Sequence, residues 1–131
     1  MSTLSLDWRG DLRFSSSEGS PNIELDSSDP KVASPPQALA YATMACMGMD
    51  VVHILQKGRH ELTGLKVKFE GTRAESHPRR YTAMRLHFEI TGDVPEDAVE
   101  RALALSHEKY CTVSNSLQPD IEFSTTFTIT R

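Results

Sequence analysis

Residues 34–59 read SPPQALAYATMACMGMDVVHILQKGR. Ser34 can cap a helix, Pro35 has the backbone angle that a first helical position needs, and Gln37 completes a capping box. Gly58 supplies the stop. The segment 34–58 is therefore a helix of roughly 22 residues, roughly 33 Å long. It is apolar almost all round, with Leu39, Ala42, Met44, Ala45, Met47, Met49, Val51, Val52 and Ile54 on its several sides. Such a helix must be covered on every face, and one small sheet cannot do that. Its Ala and Gly positions allow another helix to come close. The expectation is a central helix packed against its copy in a second subunit. The run 38–55, interrupted by Tyr41, Thr43, Asp50 and His53, reads as too short and too polar for a membrane span.

Working outward, Leu4, Leu6 and Trp8 alternate, Gly10-Asp11 is a turn signal, and Leu12 with Phe14 opens a second strand; Ile23 and Leu25 mark a third. Residues 1–33 thus form a β-meander. After the helix, Leu65, Val67 and Phe69 alternate, and so do Met84, Leu86, Phe88 and Ile90, giving a β-hairpin over 62–91. Acids after Pro95 start a second helix, as the helix dipole prefers. The segment 94–118 carries that helix and Cys111, and 120–131 is a final strand. Runs of strands separated by helices indicate an α+β domain with antiparallel sheet, one domain over 1–131.

At 131 residues the chain can bury roughly two thirds of its unfolded surface in one core. The formal charge of −4, with no basic cluster longer than Arg79-Arg80, excludes a phosphate-binding footprint and so nucleic acid as partner. No basic and apolar leader opens the chain, so a cytoplasmic, non-membrane protein is expected. In that compartment the two cysteines do not form a permanent structural disulfide, although a transient catalytic one is allowed.

Cys46 lies in the long helix and Cys111 in SHEKYCTVSNSL, residues 106–117. Buried cysteine is commonly a small hydrophobe; reactive cysteine needs a thiolate. Asp50, one turn beyond Cys46, faces the same way and as a bare carboxylate would raise the thiol pKa. A reactive Cys46 then requires a cation, with Arg9, Arg13, Arg73, Arg79 and Arg80 as candidates outside the helices. An arginine between Asp50 and Cys46 would pair the acid and activate the thiol. His107 and Cys111 have the i, i+4 spacing of a ligand pair, but no second pair completes a zinc site. Met47, Met49 and Tyr110 can line an apolar pocket, with core packing the simpler role for the methionines. His53 is a proton donor or a core histidine, and Ser114-Asn115-Ser116 is turn chemistry.

The helix motif SPPQALAYATMACMGMDVVHILQKGR together with ALSHEKYCTVSNSL, residues 104–117, resembles the OsmC/Ohr superfamily, and within it the YhfA-like branch. The likeness spans nearly the whole chain. It implies an intertwined homodimer whose long central helices are sandwiched between antiparallel sheets. It implies thiol-dependent reduction of organic hydroperoxides, with Cys46 peroxidatic, Cys111 resolving, a dithiol as reductant, and no metal, haem or flavin. The hydroperoxide reductases of the superfamily carry a carboxylate just after the proline that opens the cysteine helix, and it holds an arginine against the thiolate. Here Pro36-Gln37 stands in its place, and neither is charged. Asp50, Gln37, Arg13, Arg9 and Arg80 are the supporting candidates. The alternative function is a dimer that binds a small hydrophobic ligand while its thiols stay silent.

Overall fold

The computed structural model describes residues 3–131. The elements run β1 (Leu6–Trp8), β2 (Arg13–Ser16), β3 (Glu24–Asp26), α1 (Pro35–Lys57), β4 (Glu61–Arg73), β5 (Tyr81–Asp93), α2 (Glu96–Leu105), a π-helical turn (Ser106–Tyr110), a 3-10 turn (Ser114–Ser116) and β6 (Glu122–Thr130). Two compact units divide within α1, between Tyr41 and Ala42.

In the first unit β1, β2 and β3 form an antiparallel meander in sequence order. Arg13 holds it together: the guanidinium donates to Asp26 and Glu24, each at 3.0 Å, and to Asp29. Asp26 is buried. Two hydrogen bonds from Ser28, with help from Arg13, hold its carboxyl down at about 2. The start of α1 is the expected capping box, with Ser34 N–H donating to Gln37 Oε1 at 2.9 Å and Gln37 N–H donating to Ser34 Oγ at 3.4 Å.

In the second unit β4 and β5 are long antiparallel partners, paired from Glu61 opposite Asp93 to Arg73 opposite Tyr81, with the register shifting between Leu62 and Gly64 and again between Thr72 and Arg73. The α+β class holds, but the sheet is not wholly antiparallel. β6 pairs with β5 in parallel, Ala83 beside Glu122 through Thr91 beside Thr130. The cause is the connection: α2 and its two turns carry the chain back along the sheet, so the next strand starts from the end where β5 started. Alternation of apolar residues along 121–129 carries no information about that direction.

β5 is central and supplies Met84, Leu86, Phe88 and Ile90 to the core; α1 adds Met47, Val51 and Leu55, and α2 adds Val99, Ala102 and Leu103. Each of the larger side chains among them stabilises by about 1.5–3 kcal/mol. α1 lies close to β4, since a Cβ on Gly48 would touch the Val67 side chain at 3.6 Å. Gly92 has φ +139°, and a Cβ there would sit 2.0 Å from the Glu61 carbonyl. Only glycine lets β4 and β5 close at that end.

By length and composition α1 is able to cross a membrane, with a mean hydropathy of 1.5 over its most apolar window, so the expectation that it is too short does not stand. What marks it as a core helix is its buried stripe, Thr43, Met47, Val51 and Leu55, at helical spacing against the sheet.

Because Asp26 titrates lower in the fold than the usual value near 4, its charge favours folding above pH ~4. That contribution fades as pH falls from there through about 2. Urea unfolding followed by Trp8 emission tests this. The stability gap between wild type and Asp26→Asn should stay constant above pH ~4 and shrink below it; a gap unchanged down to pH ~2 contradicts the assignment.

Candidate functional site

The site is assembled from α1 and from the turns that follow α2. Cys46 and Asp50 are one helical turn apart, so both project from the same side of α1. α2 ends by widening into the π-helical turn, where the Cys111 N–H donates to the Ser106 carbonyl at 2.8 Å. A π turn moves the following side chains around the axis relative to a regular helix. The hydroxyl of Ser106, the first residue of that turn, donates to Asp50 Oδ2 on α1 at 2.7 Å. Cys111, which follows the turn, is buried. The Cys46 sulfur, the Cys111 sulfur and a carboxylate oxygen of Asp50 all lie within 4.8 Å of one another. Both cysteines are free thiols; Cys46 is half-buried and Cys111 only 1% exposed.

The chain after Cys111 turns its backbone donors onto these sulfurs. Ser114 N–H donates to Cys111 Sγ at 3.3 Å, and the N–H groups of Val113 and Thr112 address Cys46. Asn115 fixes the turn by donating from its amide to the carbonyls of Cys111, at 2.8 Å, and His107, at 3.1 Å. Ser114 Oγ is buried beside them without a hydrogen-bond partner among the described residues. Burial pushes the Cys46 thiol up. The Val113 N–H opposes it, the adjoining Cys111 sulfur raises it further, and the Thr112 N–H lowers it; the net shift is upward.

Several of the candidate residues have partners of their own. Among the described residues, the partner of Asp50 is the Ser106 hydroxyl and not an arginine. Arg13 is committed to three carboxylates of the first unit, Arg9 to Ser15 and Asp7, and Arg80 to Asp120. Gln37 is spent on the α1 cap. Met47 is fully buried in the core and Met49 is 70% exposed. His107 stacks on Phe123, ring centroids 4.5 Å apart. Tyr110 does line a cavity, an open one of about 900 Å3, together with Asp50, His53, Lys57, His60 and Arg101. Ser106 and Arg101 carry no signal in the sequence: Arg101 lies within a helix, outside the segments that offer the arginine candidates, and nothing in SHEKYC marks a π turn.

A paired-thiol site at the junction of a long core helix and a turn, on an α+β scaffold, is a specific combination. The sequence model described as OsmC-like protein matches residues 28–126, and the chain belongs to that family. Protein YhfA of Escherichia coli strain K12 is 39% identical over 100 residues, 76% of this chain and 75% of its own, which places the chain in the YhfA-like branch. Among solved structures, a hypothetical protein from Aquifex aeolicus VF5 superposes with a TM-score of 0.90 at 28% identity, covering 99% of this chain and 96% of that one. The organic hydroperoxide resistance protein OsmC from Legionella pneumophila superposes at 0.73, with 19% identity and 98% of each chain covered. That last likeness is one of fold.

Alkylation by iodoacetamide, mapped by peptide mass, should modify Cys46 ahead of Cys111. Its rate should rise with a midpoint above the ordinary thiol value of about 8.5, and the midpoint should drop in Cys111→Ser. A wild-type midpoint below that value would sink the electrostatic account.

Proposed function

We propose that the protein reduces organic hydroperoxides with its two thiols. The observation that carries this reading is the meeting of Cys46 and Cys111, distant in sequence, with sulfurs within 4.8 Å. Cys46, the more accessible, attacks the outer oxygen of the peroxide as thiolate. The O–O bond breaks, the alkoxide leaves and takes a proton as the alcohol, and Cys46 becomes a sulfenic acid. Cys111 then attacks that sulfur, the hydroxyl leaves as water, and a Cys46–Cys111 disulfide forms. A dithiol reductant reopens it by exchange. Asp50, within 4.8 Å of both sulfurs and steadied by Ser106, is placed to pass these protons through an intervening water. Family membership supports the reading, as do fold relatives that include organic hydroperoxide resistance proteins. No separate cofactor enters these steps.

The working form is a homodimer in the cytoplasm. Tyr41 at 63% exposure and Met49 at 70% leave one face of an apolar helix uncovered within the chain, and a second copy of α1 is the natural cover. A second reading, a silent-thiol binder of a small hydrophobic molecule, is favoured by one feature: burial pushes the Cys46 thiol up, away from the thiolate that peroxide chemistry needs.

One equivalent of cumene hydroperoxide separates the two. Intact mass should show the rapid loss of two hydrogens in wild type, no such loss in Cys46→Ser, and a trappable sulfenic acid on Cys46 in Cys111→Ser. Thiols that stay reduced for minutes in wild type would reject the peroxidase and leave the binder.

A further inference from the structure

We propose that the reduced site is also a binding site for a zinc-type divalent cation, with Cys46, Asp50 and Cys111 as its three protein ligands. The three donor atoms already lie within 4.8 Å of one another. A tetrahedral zinc ion with bonds of about 2.3 Å to sulfur and about 2.1 Å to oxygen places its ligand atoms ~3.5–3.8 Å apart. The closure needed is at most about 1 Å between donor atoms. Two sulfurs and one oxygen select a thiophilic ion over magnesium or calcium, which want oxygen shells. Three protein ligands with a fourth position open are the pattern of accessible zinc sites rather than of closed structural ones.

The surroundings are suited to the charge. On binding, the two thiols release their protons to solvent, and two thiolates with one carboxylate hold the dication at a net charge of −1. That residual charge faces backbone donors: the N–H groups of Thr112 and Val113 toward Cys46, and the Ser114 N–H at 3.3 Å from Cys111. Ser106, fully buried, fixes the carboxylate by its hydrogen bond at 2.7 Å, as an outer-shell donor orients a metal-bound acid. The ion engages both sulfurs, so metal binding and disulfide formation exclude one another. A cation of this class therefore stores the thiols in a reduced, peroxide-resistant form.

Anaerobic titration of the reduced protein with cadmium reads the site directly through sulfur-to-metal charge-transfer absorption, and zinc affinity follows from competition with a chromogenic chelator. The expected result is saturation at one ion per chain. The band should disappear in Cys46→Ser, in Cys111→Ser and in the oxidised wild type. Zinc should bind at least about tenfold more weakly to Asp50→Asn, with circular dichroism confirming that each variant is folded. No band in reduced wild type, saturation at half an ion per chain, or an Asp50→Asn affinity equal to wild type overturns the proposal. The wild-type spectrum is decisive even if a variant misfolds. Such a failure leaves the peroxide chemistry untouched, since that chemistry uses the thiols without an ion.

Discussion

The hydrogen bond from Ser106 to Asp50 is the contact on which the site depends. A carboxylate on an apolar core helix is costly unless it is partnered, and the hydroxyl that satisfies it comes from the turn after α2. The same residue's carbonyl receives the Cys111 N–H. Ser106 therefore couples two placements: Asp50, one turn from Cys46 on α1, and Cys111, at the end of the π-helical turn. Removing the hydroxyl would leave a half-buried acid facing two sulfurs with nothing to hold it, and both cysteines would lose their common reference.

Electrostatics at the site are a contest between burial and backbone dipoles. Burial and a second sulfur raise the Cys46 thiol, and two backbone N–H groups lower it, less effectively. A guanidinium would reverse the balance. The superfamily pattern places an acid at the start of the cysteine helix to hold one, and here that position is occupied by Pro36 and Gln37, with Gln37 engaged in the helix cap. The arginine found in the cavity beside Asp50 is Arg101, on α2. This chain therefore has the pair of thiols without a charged group at the start of the cysteine helix.

Much of this was legible in the chain itself. The boundaries of α1 follow from Ser34, Pro35, Gln37 and Gly58, residues whose local chemistry fixes a helix end whatever lies around it. The long strands follow from period-two alternation. The parallel pairing of β6 was not legible, because alternation reports which face a residue takes and not the strand's direction. The π turn was not legible either: Ser106–Tyr110 has ordinary helical composition, and nothing in it marks where a helix widens. An arginine is the partner that the sequence suggests for Asp50, but a fully buried serine fills the role, and a hydroxyl leaves no charge pattern in a sequence. Met47 and Met49, two residues apart on a helix, face different ways, and the structure sends one into the core and the other out.

The central claim is that Cys46 and Cys111 of one chain form a single redox unit. Equilibration in dithiol–disulfide buffers of graded potential, with thiol oxidation read by mass, tests it most directly. The account predicts that both cysteines oxidise together in one two-electron transition, at a midpoint independent of protein concentration. Separate oxidation of the two thiols, or a disulfide linking two chains whose yield rises with concentration, would contradict it.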